Sequence, residues 1–149
     1  MNDLIAGKEF DFGTTILSEE EIIAFAQQWD PIPFHIDREA AAKSIFKGIV
    51  ASGPHLFMAT HRREWISRFK DTLVAGMGID KWRLIKPVYA GMPVHCKVKI
   101  VKVEPAKSGK TQKVLWSYLF TDDKGETVQT LEMTVLHKVR TDFLLRNAK

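Results

Sequence analysis

"PHLFMATHRREWISRF", residues 54–69, decides the fold. Proline suits the first turn of a helix, where the amide it lacks would go unpaired in any case. The first half of the stretch is apolar on nearly all sides. The second half sets Trp65, Ile66 and Phe69 against Arg62, Arg63 and Arg68. A helix that is apolar all round is surrounded by protein. Its N-terminal half is therefore expected deep in the core, and the rest of the chain must supply what wraps it.

Downstream of residue 72 the period of the pattern changes from helix to strand. "GMGIDKWRLIKPV" (76–88) is one candidate strand. In "VHCKVKIVKV" (94–103), Val94, Cys96, Val98 and Ile100 share a face. In "KVLWSYLFTD" (113–122) the face is Val114, Trp116, Tyr118 and Phe120. "TVQTLEMTVLHKV" (127–139) is the last strand, with Leu131, Met133 and Val135 alternating, and "DDKGE" before it is a tight-turn signal.

Upstream, "KEFDFGTT" (8–15) places Phe10 and Phe12 on one face of a short strand. Ser18 then opens a helix, with Glu21 three residues on completing a capping box. Ile22, Phe25, Ala26 and Trp29 line one helical face. "HIDREAAAKS" (35–44) reads as a short helix capped by Asp37, and "FKGIVASGP" (46–54) as a loop. The order β-α-α-α-β-β-β-β, with helices and strands segregated, predicts an α+β fold in which an antiparallel sheet wraps one buried helix. No linker or repeat divides the chain, so 1–149 is expected to be a single domain.

Composition narrows the function classes. With 149 residues and 45% hydrophobic content, the chain is long enough to bury a core and is not of disordered type. No apolar run is long enough to cross a membrane, and "MNDLIAGKEF" lacks the apolar stretch of a signal peptide. Cys96, the only cysteine, cannot form an intramolecular disulfide and reads as a small core residue, which fits a cytoplasmic location. The net charge of +4 is spread along the chain, densest at "HRREW" (61–65) and "KVKIVKVEPAK" (97–107). No nucleic-acid motif accompanies it, so nucleic acid is not the expected partner. "HRREW" reads as a solvated helix face, with contact to a ligand phosphate as the sharper alternative. His55 and His61 are six apart on the helix, not the four that put a metal pair on one face, and His35 with Asp37 lacks a third ligand. Neither a metal nor a cofactor is expected.

The chemistry concentrates in "WDPIPFHID" (29–37). Two prolines, Pro31 and Pro33, stiffen the segment between Asp30 and His35, because each fixes its own φ. A carboxylate and an imidazole held at a set separation can share one water, which general acid–base catalysis requires. A turn-capping aspartate beside a structural histidine is the plainer reading of the same residues.

The longer stretch "FAQQWDPIPFHIDREAAAKSIFKGIVASGPH" (25–55) resembles the MaoC-like dehydratase family, which includes the (R)-specific enoyl-CoA hydratases. The matching pieces are Phe25, Ala26, Asp30, Pro33, His35, Asp37, Phe46, Gly48, Ala51, Ser52 and Gly53, in order and at matching spacing. "KWRLIKPVYAG" (81–91) and "DDKGETV" (122–128) extend the likeness more weakly. Many members carry Asn or Gln where this chain has Ile32, and Gly-Asp where it has Gly91 and Met92.

The resemblance implies a hot-dog fold, a curved antiparallel sheet around a central helix. It implies an acyl-thioester hydratase or dehydratase, with Asp30 and His35 activating one water at the double bond of an enoyl thioester. It also implies that the Ser52–Gly53 turn binds the thioester oxygen through the Gly53 amide, at a helix N-terminus suited to developing negative charge. The expected partners are an acyl-CoA or acyl-carrier thioester and a second copy of the chain, as a homo-oligomer built on a dimer. A hot-dog thioesterase and a non-catalytic acyl-CoA-binding protein are the alternatives.

Overall fold

The computed structural model describes residues 4–140. Strand β1 (Glu9–Thr15) leads into α1 (Glu19–Trp29), the short α2 (Pro33–Ile36) and α3 (Arg38–Lys43). A long helix follows in three consecutive pieces: α4 (Gly53–Thr60), a π-helical segment (His61–Ile66) and α5 (Ser67–Phe69). Four strands complete the chain: β2 (Leu73–Leu84), β3 (Val94–Pro105), β4 (Thr111–Thr121) and β5 (Thr127–Lys138). They join β1 in one antiparallel sheet of order β1-β3-β4-β5-β2.

The sequence pattern builds this sheet directly. Val98 lies opposite Tyr118, which lies opposite Leu131; Ile100, Trp116 and Met133 form the next row. All six are buried, while Lys97 and Lys99, which alternate with Val98 and Ile100 along β3, are exposed. Alternation has period two, so one register puts every apolar residue on the inner face. The long helix fills that face. Phe57 meets Tyr118 at 5.3 Å between ring centroids, Trp65 meets Trp116 at 5.7 Å and Phe69 meets Trp116 at 4.7 Å. Burying each such ring is worth roughly 1.5–3 kcal/mol. A sheet around one central helix is the hot-dog arrangement.

The local signals hold as well. Ser18 accepts from the Glu21 amide while the Glu21 carboxylate accepts from the Ser18 amide, and Asp37 caps α3 through the Ala40 amide at 3.0 Å. At the hairpin, Asp122 Oδ1 accepts from the amides of Lys124 and Glu126, and Gly125 takes the positive φ of 78°.

Three features differ from expectation. Trp29 is 69% exposed, because it is the last residue of α1 and the buried positions go to Ile22 and Ala26. The central helix is not uniformly α: the π-helical segment falls on "HRREWI". There the Arg63 guanidinium donates to Thr15 Oγ1 and to the Phe12 carbonyl, each at 3.0 Å, and so clamps β1 to the helix. "HRREW" is therefore only partly a solvated face: Trp65 is buried, and Arg63, though exposed like Arg62, ties the helix to β1. Among the described residues no helix is long and apolar enough to cross a membrane.

Candidate active site

The two prolines of "WDPIPFHID" do different work. α1 ends at Trp29, with the Asp30 amide still donating to Ala26 at 2.8 Å, because the residue before a proline is pushed out of helical geometry. The Ile32 amide then bonds the Asp30 carbonyl at 2.7 Å, turning the chain tightly around Pro31. Pro33 opens α2, and His35 follows two residues on. One proline closes a helix and the other starts the next. The result brings His35 Nε2 to 3.4 Å from Asp30 Oδ2.

The hydrogen bonds around this pair fix which ring nitrogen of the neutral imidazole carries the hydrogen. His35 Nδ1 lies 2.6 Å from the Val50 carbonyl oxygen. A carbonyl only accepts, so Nδ1 carries the hydrogen and the neutral ring turns a lone pair on Nε2 toward the carboxylate. Two facing acceptors at that distance call for a proton on the ring or for a water donating to both. A water held that way keeps its own lone pairs free for attack.

Val50 is held in turn: it bridges to Tyr89, and the next amide, Ala51, donates to Val88 at 2.8 Å. Ser52 Oγ donates to Asp30 Oδ2 at 2.7 Å. His35 and Ser52 are buried, while the Asp30 side chain is 33% exposed, so the pair opens toward solvent on the carboxylate side.

That opening is a cavity of about 420 Å³, lined by Asp30, His35, Gly53, Leu84, Lys86 and Gln129 among others. Gly53 is the first residue of α4, so its amide has no acceptor within the helix. Pro54 has no amide hydrogen, and the His55 amide is taken by Ser52 at 3.0 Å. A Cβ at Gly53 would lie 2.5 Å from Leu84 Cδ1, so glycine is what lets Leu84 close against the turn. Lys86 is tethered by Asp122, at 3.0 Å, and by Glu126. Lys86 also holds the Asp122 carboxyl below its ordinary range.

The structure thus brings Asp30, His35, Ser52 and Gly53 together, with one change of emphasis. The single hydroxyl proton of Ser52 is given to Asp30, which leaves it none to donate to a thioester oxygen. Ile32, at 40% exposure, contributes no polar atom. His55 stacks on Phe25 at 4.3 Å, and burial lowers its pKa against the opposing charge of Glu21. The site also holds a residue that lies outside every motif of the sequence. Gln129 is buried in the cavity wall, where its Nε2 donates to the Gly53 carbonyl at 3.0 Å and its Oε1 accepts from Trp82 Nε1 at 3.4 Å. Its signal was available: Gln129 occupies the same inward phase of β5 as Leu131, Met133 and Val135, a polar residue on an apolar face.

A sheet wrapped around one central helix, with an acid–imidazole pair beside the start of that helix, defines the class: a hot-dog protein. Residues 3–122 match the family model described as MaoC like domain, and the chain belongs to that family. It is 29% identical over 110 residues to the uncharacterised protein YdeM of Bacillus subtilis (strain 168), covering 72% of this chain and 77% of that one. The crystal structure of the MaoC-like dehydratase from Rhodospirillum rubrum superposes with a TM-score of 0.81 at 29% identity, covering 92% of this chain and 94% of that one. The unliganded R-hydratase PhaJ1 from Pseudomonas aeruginosa superposes with a TM-score of 0.74 at 20% identity, covering 92% and 84%. This last likeness is one of fold.

Proposed function

We propose that this protein hydrates enoyl thioesters, or dehydrates the corresponding hydroxyacyl thioesters, with Asp30 and His35 activating one water. The observation that carries the reading is the 3.4 Å approach of His35 Nε2 to Asp30 Oδ2, with the opposite ring nitrogen tied to the Val50 carbonyl. Membership of the MaoC-like family and the likeness to the Rhodospirillum rubrum dehydratase support it.

In the hydration direction the water oxygen bonds the β-carbon of the enoyl group and its proton passes to His35 Nε2. Electrons move through the double bond onto the thioester oxygen, where the Gly53 amide stabilises the developing charge. The α-carbon then takes a proton from the ring, leaving one water added across the double bond. Ser52, by donating to Asp30, holds the carboxylate in place.

A panel of enoyl-CoA and enoyl-carrier thioesters tests this, read by loss of enoyl absorbance beside free-thiol release. Loss of absorbance without thiol release is the expected result. Thiol release would instead identify a thioesterase. Binding without either would identify a carrier protein.

We also propose that the working form is built on a homodimer. β2 is an edge strand of twelve residues with Val74, Met77 and Ile79 exposed. Three register shifts interrupt its ladder with β5, but a long edge strand carrying exposed apolar side chains is still a template for pairing with another chain. Sedimentation should give the mass of at least two 17.0 kDa chains at micromolar concentration. Placing lysine at both Met77 and Ile79 should lower it toward one. A wild-type mass of one chain would rule the dimer out. Cys96 is buried and is the single cysteine in the sequence, which suits a reducing compartment, and we place the protein in the cytoplasm.

A further inference from the structure

We infer that Gln129 supplies a second hydrogen-bond donor to the thioester oxygen, completing a carbonyl-binding site that the helix start alone leaves with one. This assignment rests on the hydratase reading for its substrate and deepens it. The start of α4 offers little: Gly53 has a free amide, Pro54 has none and His55 bonds Ser52. Stabilising an oxyanion in a water-poor site draws on every preorganised donor aimed at it.

Gln129 is built to be such a donor. It is 2% exposed and lines the same cavity as Asp30, His35 and Gly53. The orientation of its carboxamide is set by chemistry. The Gly53 carbonyl can only accept, so the atom facing it at 3.0 Å is Nε2. The Trp82 indole can only donate, so the atom facing it at 3.4 Å is Oε1. A primary carboxamide has two N–H groups, and Gly53 uses one. The other has no partner among the described residues, and burying a donor without a partner is costly. It sits in the cavity wall beside the residue whose amide is the first donor. Gly53 belongs to the helix and Gln129 to the sheet, and both line the one cavity, so a ligand oxygen held between them would take one donor from each.

The test separates carbonyl binding from turnover. The probe is butanoyl-CoA carrying carbon-13 at the thioester carbonyl, which has no double bond to hydrate. Isotope-edited infrared spectroscopy reads the carbonyl stretch of the bound molecule alone. Wild type should lower that frequency relative to water. Gln129→Met, close in shape but unable to donate, should lose about half of the lowering per bound molecule. It should also reduce hydration of crotonyl-CoA by about 10²-fold, mostly in kcat, as removal of one oxyanion donor does. Gln129→Asn keeps a carboxamide but withdraws it by one methylene, and should shift the frequency the same way if the Met variant fails to fold.

A purely structural glutamine would alter folding or KM and leave the frequency of bound probe unchanged, and that result overturns the inference. So does a wild-type protein that leaves the carbonyl frequency at its aqueous value or does not bind the probe. If wild type hydrates no enoyl thioester yet lowers the frequency through Gln129, the hydratase reading falls and the carbonyl-binding assignment stands.

Discussion

Asp30→Asn and His35→Gln are each expected to reduce hydration by 10²–10⁴-fold, the usual contribution of a positioned acid–base group. Both act on one water, so the double variant should lose far less than the product of the two single losses, as residues working as a unit do. The geometry says why neither amide substitutes. The Asn variant would offer the water a neutral oxygen in place of a charged one, and one arm of its amide must meet the Ser52 hydroxyl. The Gln variant keeps a polar group but has no ring to hold one nitrogen on Val50 while the other faces the water. Ser52→Ala should cost less, because it removes only the group that steadies the carboxylate. Ile32→Asn, which restores the residue many family members carry, should keep or raise the rate. Activity must be normalised to folded protein, beside a thermal melt for each variant. Unchanged normalised rates in both single variants would end the catalytic assignment and leave Asp30 and His35 as structural residues.

How much of this was legible in the sequence depends on the range of the interaction. Alternation in β3, β4 and β5 is local and strict, so the inner face of the sheet can be read residue by residue, as can the Ser18 capping box and the Asp37 cap. The Asp30–His35 pair was legible because two prolines confine it to six residues. The longer-range contacts of the site were not. Val50 and Ser52 reach it across 15 and 22 residues, and Gln129 reaches Gly53 across 76, distances over which spacing carries no geometric information. The π-helical segment was hidden for another reason. The apolar pattern of 61–66 does not mark it, Ile66 is left 37% exposed, and the tie that accompanies it, from Arg63 to β1, spans 48 residues and more. Trp29 misled because periodicity gives a direction around a helix and does not say where covering structure ends.

Lowering the pH from 7 toward 4 should unfold the protein well before its exposed carboxylates alone would. One histidine sits inside the core and a second is partly buried at its margin. His137 is fully buried among Trp65 and Trp116, at ring distances of 5.7 and 5.8 Å. The Thr72 hydroxyl donates to the Phe69 carbonyl, so its oxygen accepts from His137 Nδ1 at 2.9 Å. His137 Nε2 is then a buried lone pair without a partner among the described residues, and a second ring proton would have none of them to bond. His61 stacks on Trp65 at 4.9 Å with Nδ1 at 3.1 Å from the Tyr118 hydroxyl. Burial lowers both imidazoles from 6.5 to about 4. An unfolded chain takes up these protons near pH 6.5, whereas the folded chain resists them until about pH 4. Stability is therefore complete above pH 6.5 and is lost as pH falls through that window. Each histidine accounts for on the order of 3 kcal/mol by the bottom of it. Two together rival the whole stability of an ordinary domain, about 5–15 kcal/mol. Thermal melts from pH 7.5 to 4.5 should show a steep fall in Tm, reversible on neutralisation. His61→Gln and His137→Asn should each cost stability at pH 7.5 and each flatten the fall. A Tm that stays level down to pH 4.5 would mean that these rings take up protons in the fold at no cost, and the buried-histidine account would be wrong.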